Sequence, residues 1–228
     1  MTPKQRFLTA IKGGRPDRVP LFDFLDSVKL FEYLLGYKPE TYNAKDVMLA
    51  TKKLGLDSAF ITYGGFGGFT PGKSGDEPSD TYIDEWGTKY KPTKYSWPQD
   101  PPIGFPIKEM SDLKSYKMPD PDKPGRLDDV KLAIEMNESK IAIMGAVQGP
   151  LTTAFLLAGW VTLSYSLMED CKLATELFEM SNNYFNQAVL NMIEAGVDFI
   201  CIAEDLGFES GTFFSPDTYR KYLFPYIE

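Results

Sequence analysis

The chain predicts an α/β protein assembled from parallel strand–helix units. Four apolar runs of strand length, at residues 19–22, 56–63, 140–146 and 196–202, are each followed by stretches in which apolar residues recur at helical spacing. Strands that alternate with helices in this way imply a parallel sheet. Four of them leave two architectures open, a small open sheet or half of a closed barrel. No internal repeat or flexible linker divides the chain, so a single domain over residues 1–228 is expected.

The elements follow in order. Residues 2–12 have helical apolar spacing, with Thr2 as cap and Pro3 at the first helical position, and Gly13-Gly14 ends that helix. Val19-Pro20-Leu21-Phe22 reads as the first strand, with Asp23 and Asp26 at its C-terminal end. Helices are expected at 27–36 and 44–54. Residues 56–63 read as the second strand, running into the loop Gly64-Gly65-Phe66-Gly67-Gly68-Phe69. Residues 70–122 are rich in Pro, Gly, Tyr and Trp, and their strand-like pieces at 81–90 and 94–97 suggest a hairpin inserted between strand–helix units. Turn residues at 119–125 lead to a helix at 126–137. The third strand ends at Gln148-Gly149-Pro150, helices are expected at 150–157, 160–168 and 170–194, and the fourth strand closes on Glu204-Asp205. Ser215-Pro216-Asp217 caps a last helix reaching about Pro225.

Composition excludes several functions. A formal net charge of −8 is wrong for nucleic acid, whose phosphates need clustered Lys and Arg. Two cysteines, Cys171 and Cys201, make no disulfide framework, and with no apolar leader at the N-terminus a cytoplasmic protein is expected. The longest apolar candidate for a membrane span, residues 141–163, is interrupted by Gly145, Gly149, Pro150 and Gly159. The chain contains no histidine, which removes Ser-His-Asp and Cys-His catalysis and any His-ligated metal from within it. Carboxylates, Tyr, Lys, Arg or Cys must carry any chemistry.

In parallel α/β proteins functional groups gather where strands end. That rule selects Asp23 and Asp26 after the first strand, Tyr63 after the second, Gln148 after the third and Glu204-Asp205 after the fourth. Adjacent residues at a strand end face opposite ways, so only one of Glu204 and Asp205 can line the mouth, where it could accept a proton or hold a cation or polar substrate; a helix cap or an ion pair with a barrel Arg or Lys is the alternative. The Gly64–Gly68 loop lacks the spacing of a phosphate cradle and reads as a mobile or substrate-covering segment. Cys201 is expected to pack as a small hydrophobe, and Asp17 and Arg18 to serve as a structural ion pair or cap.

Several segments together resemble the uroporphyrinogen decarboxylase superfamily: Arg15-Pro16-Asp17-Arg18-Val19-Pro20, Asp84-Glu85-Trp86-Gly87, Asp120-Pro121-Asp122 with Gly125-Arg126-Leu127, Ala195-Gly196-Val197-Asp198, and Ser215-Pro216 with Tyr219 and Pro225-Tyr226. The resemblance implies a closed (β/α)₈ barrel of which this chain holds about the first four units. Within that superfamily the chain departs from true decarboxylases. No Arg follows the first strand to grip carboxylates, the second strand ends in Phe60-Ile61-Thr62-Tyr63 without the Asp, and Phe155 and Asp205 stand where a Tyr and a Ser touch substrate. The resemblance is instead to the methyltransferase-like branch, which moves methyl groups between a small methylated substrate, a corrinoid and a thiol. It implies a corrinoid protein as partner and a zinc ion whose ligands lie outside this chain. Decarboxylation of a porphyrinogen or other carboxylate, and ligand binding without turnover, are the alternatives. On this reading Glu204 and Asp205 are the catalytic candidates, and Asp23, Asp26, Tyr63, Gln148 and Phe155 the substrate-binding ones.

Overall fold

The computed structural model describes residues 1–65, 67, 81–93, 95–169 and 172–227. Cys171, Phe66, Phe69 and residues 70–80 of the expected insertion lie outside them. In chain order the elements are α1 (Pro3–Ile11), α2 (Val28–Leu35), α3 (Ala44–Leu54), β1 (Ser58–Thr62), β2 (Tyr82–Ile83), β3 (Lys89–Tyr90) and β4 (Pro102–Gly104). There follow α4 (Met110–Ser115), α5 (Asp128–Asn137), β5 (Ala142–Gln148), α6 (Pro150–Met168), α7 (Lys172–Ala195), β6 (Phe199–Ala203), β7 (Gly207–Phe208), β8 (Gly211–Thr212) and α8 (Pro216–Tyr222).

Local chemistry sets most helix starts. Thr2 and Gln5 form a reciprocal capping box at α1, and the side chains of Ser27, Asn43 and Ser215 accept N–H bonds at α2, α3 and α8. β1, β5 and β6 form a parallel sheet in the order β1-β5-β6, with Ser58 opposite Ala142 and Met144 opposite Phe199 at the starts of the two ladders. All seven residues of β5 are buried, as a central strand covered on both faces requires. Ala59, Ile61, Ile143 and Val147 face the large core shared with helices α3, α5, α6 and α7. Phe60, Ala142, Met144 and Ala146 face the other way, into a smaller cluster with Phe7 of α1, Phe24, Phe199 and Cys201. Cys201 therefore packs in the sheet, and burial raises its thiol pKa.

Residues 19–22 form no strand; they run extended beside the start of β1. The Leu21 carbonyl accepts the Asp57 N–H (2.8 Å), but the Leu21 N–H donates to the Asp57 carboxylate (2.7 Å) and Pro20 has no N–H to give. A ladder cannot continue from there, and Val19, Leu21 and Phe22 stay exposed. Asp17 and Arg18 join the same Asp57. Arg6 donates to both Asp17 (2.5 Å) and Asp57 (2.6 Å), and Arg18 donates to Asp57 (2.8 Å), which is fully buried. Asp17 and Arg18 are thus structural, each in an ion pair, but with Arg6 and Asp57 respectively and not with each other.

β2, β3 and β4 form a separate antiparallel sheet, reached from the hairpin expected at 81–90. The stretch 94–97 is not a strand; its described residues lie in irregular structure, and the third strand comes later, at β4. In the turn Asp84-Glu85-Trp86-Gly87, Asp84 accepts the N–H groups of Trp86 and Thr88 (3.0 Å each) and Gly87 holds the φ of +82°. Trp86 packs against Tyr184 and Phe185 of α7, and Glu85 pairs with the guanidinium of buried Arg126. Two segments that carried the resemblance thus grip each other.

The two helices expected at 150–157 and 160–168 are both present, run together as α6 and separated by the non-helical Gly159 (φ +76°, ψ 159°). The Leu156 and Leu157 carbonyls there accept Thr88 Oγ1 (2.7 Å) and the Ile107 N–H (3.0 Å). By length and composition α6 could cross a membrane, but half of it is buried in the fold and it packs along α7, as a core helix does.

Candidate active site

A pocket of about 440 Å³ opens where β5 and β6 end. Gln148, Phe155, Glu204 and Asp205 all line it, so four of the seven candidates meet in one place. Thr152, Trp160, Phe213, Gln99 and Asp100 also face it.

Glu204 and Asp205 separate as expected of neighbours at a strand end. Glu204 turns to the N-terminus of α6, where its carboxylate accepts the N–H groups of Leu151 (2.7 Å) and Thr152 (2.8 Å) and the Thr152 hydroxyl (2.7 Å). It thereby caps a helix from a distant strand and sits at the positive end of the helix dipole. Gly149 is needed for this approach, since a Cβ there would overlap the Glu204 side chain. Burial pushes the Glu204 carboxyl above its ordinary value; the hydrogen bonds from Thr152 and Leu151 oppose the rise and the adjacent Asp205 adds to it. Asp205 is exposed, and its carboxylate accepts no hydrogen bond from any described residue. Of the pair, Asp205 is the one free to meet a ligand.

Gln148 is 3% exposed and its amide is used twice on Gly67, accepting the Gly67 N–H (3.0 Å) and donating to the Gly67 carbonyl (3.3 Å). It holds Gly67 over the end of β5. Phe155 stacks on Trp160 with ring centroids 4.6 Å apart, and Trp160 meets Phe213 at 4.6 Å, giving the pocket an aromatic wall. The break at Gly159 produces that wall, because an unbroken helix would carry residue 160 to a different face from residue 155.

The remaining candidates lie elsewhere. Tyr63 follows β1 with the register of Ala59 and Ile61, so its ring enters the helix-side core; its hydroxyl donates to the Pro121 carbonyl (2.5 Å) and accepts from Asn191 (2.9 Å). It ties the turn at 119–125 to α7 and does not line the pocket. Asp23 and Asp26 are exposed and do not line it either, because residues 19–22 form no strand to aim them. Sequence reasoning missed Trp160, Phe213 and Asp100. Gly159-Trp160 was the available signal, a helix break beside a large aromatic.

Among the described residues no three His, Cys, Asp or Glu side chains converge as a metal-binding cluster, and the chain has no histidine. These residues do not fit a zinc site.

A parallel α/β sheet with a polar and aromatic pocket at its strand ends is the architecture of a small-molecule enzyme of the α/β type. The profile of the uroporphyrinogen decarboxylase (URO-D) family matches residues 87–228, well over half of the chain, and the chain belongs to that family. It is 32% identical over 104 residues to the methylcobamide:CoM methyltransferase MtaA of Methanosarcina barkeri, a stretch covering 44% of this chain and 29% of that protein. A solved methyltransferase from Methanosarcina mazei shares the fold, with a TM-score of 0.69 at 21% identity over 100% of this chain and 65% of that one. The chain thus spans less than two thirds of either relative's length. Both of these relatives are methyltransferases.

Proposed function

We propose that the chain forms part of a (β/α)₈-barrel methyltransferase that moves a methyl group between a small methylated substrate, a corrinoid carried by a partner protein, and a thiol. The sheet β1-β5-β6 is an arc of that barrel and the pocket at its C-terminal ends is the reaction site. Asp205 meets substrate as the free carboxylate, Glu204 is a positioning residue acting through the N-terminus of α6, and Phe155 and Trp160 form the water-excluding wall.

One observation carries the choice over porphyrinogen decarboxylation. Asp100, Glu204 and Asp205 line the pocket, and no Lys or Arg does among the described residues. A substrate bearing several carboxylates would meet like charge without a compensating cation.

The test is incubation of the protein with methylcobalamin and a small thiol, following loss of the cobalt–methyl absorbance and formation of the thioether. Protein-dependent transfer, lowered at least about tenfold by Asp205→Ala, is expected. Carbon dioxide release from uroporphyrinogen without methyl transfer would overturn the reading in favour of a decarboxylase. Inactivity in both assays would leave a ligand-binding barrel.

A further inference from the structure

The three carboxylates of the pocket are not equivalent. Glu204 is engaged by the α6 N-terminus, and buried Asp100 accepts the Ser96 hydroxyl (2.7 Å) and the Tyr82 hydroxyl (3.0 Å). Asp205 alone is left with its charge uncovered by any described donor. The same pocket is lined by the rings of Phe155, Trp160 and Phe213, the first two stacked with an interplanar angle of 21°. Aromatic faces carry negative quadrupole density and attract cations, Trp most strongly. An acidic rim on an aromatic wall, with no described cation, selects a positive ligand.

The wall narrows the class further. A primary ammonium needs several acceptors around its N–H groups, but those of Asp100, Gln148 and Glu204 are already engaged by protein donors, and Phe155, Phe213 and Leu156 offer none. A quaternary ammonium spreads its charge over apolar methyl groups and asks for ring faces and one counter-charge. The cavity, about 440 Å³, lies within the range of small-molecule sites.

We propose that the pocket binds a small methylated ammonium compound, with Trp160 and Phe155 receiving the onium group and Asp205 supplying the counter-charge. The proposal rests on the methyltransferase reading and specifies its methylated substrate. In transfer from such a donor the C–N bond breaks with its electron pair left on nitrogen, releasing a neutral amine. The methyl carbon forms its new bond to the electron pair of a reduced corrinoid or of a thiolate.

The experiment is calorimetric titration of the protein with choline and with 3,3-dimethylbutan-1-ol, which has the same shape without the charge. Choline is expected to bind at least about tenfold more tightly than the alcohol. Trp160→Leu and Asp205→Asn should each weaken choline by roughly three- to tenfold, with Trp160→Phe closer to the parent. Asp205 makes no described side-chain bond, so its variant keeps the fold, and a thermal melt checks this for Trp160→Leu. Equal binding of the two ligands, no choline binding, or choline binding indifferent to both substitutions overturns the proposal. Methyl transfer from methylcobalamin without choline binding would remove the ammonium ligand and leave the methyltransferase reading intact. Selective choline binding without any methyl transfer would support the site and overturn that reading.

Discussion

At the N-terminal end of the parallel sheet, Arg6 and Arg18 close on Asp17 and Asp57, and the chain's amino group joins them through Asp17 (3.1 Å). At the C-terminal end, Asp100, Glu204 and Asp205 line a cavity with no described cation among them. The same residue types serve opposite ends. Charges that are paired and buried hold the chain in register, whereas charge left over beside a cavity is available to a ligand. The first arrangement resists change and the second invites binding, which is the general division between the two faces of such sheets.

Asp57→Ala should break the first region with the largest effect. It removes the buried carboxylate that accepts Arg6, Arg18 and the Leu21 N–H, and leaves charge and donors unpaired. A loss of about 3–5 kcal/mol in urea denaturation is expected, with methyl transfer per folded molecule unchanged. The network also sets the response to acid. The hydrogen bond from Arg6 holds Asp17 well below the ordinary carboxylate range. For Asp57 burial acts upward, but the bonds from Leu21, Arg6 and Arg18 together bring it below its ordinary value. Their contribution is present in full above about pH 4 and fades as pH falls through the lowered values. Glu204, raised in the folded state, has the opposite sign: its contribution is full below the ordinary Glu value and fades as pH rises through the raised one. Urea midpoints measured across pH should therefore lose the Asp57 part of their acid-side slope in Asp57→Ala, while keeping the parts due to Asp17 and to Glu204.

Gly149→Ala tests the second region. The added Cβ overlaps Glu204 and must expel it from the α6 N-terminus. The expected cost is about 1–3 kcal/mol, smaller than for Asp57→Ala, but here activity should fall along with stability because Asp205 and Phe155 are displaced together. Retained activity would detach Glu204 from the site. Asp23→Asn and Asp26→Asn make the smallest change. Both side chains are exposed and off the pocket, so stability should stay within about 0.5 kcal/mol and methyl transfer should be unaltered. A large loss of activity from either would extend the functional surface to the segment after residue 22.

Helices were legible where caps and periodicity agreed: residues 27–36 and 44–54 contain α2 and α3, each ended by a left-handed glycine, Gly36 and Gly55. β5, covered on both faces, was legible as an apolar run, and so was β6, whose residues are only partly buried or exposed. Residues 19–22 have the same apolar character and form no strand, because the partner of the Leu21 N–H is a side chain 36 residues away. Tyr63 and Gln148 both stand at strand ends and were indistinguishable by position, yet one enters the helix-side core and the other lines the pocket. The face each takes follows from how the strands pair and which layer covers each side, and neither is written beside the residue.

The sequence by itself determined the class of fold, the family, and the positions where chemistry could collect, since periodicity, caps and strand ends are short-range properties of the chain. Only the tertiary structure decided which of those positions act together. It brought Trp160 beside Phe155 across a helix break and spent Glu204 on a helix 53 residues away. It also left Asp205 uncovered. Whether a carboxylate is a cap or a free charge depends on which N–H groups the fold carries to it, and those come from elsewhere in the chain.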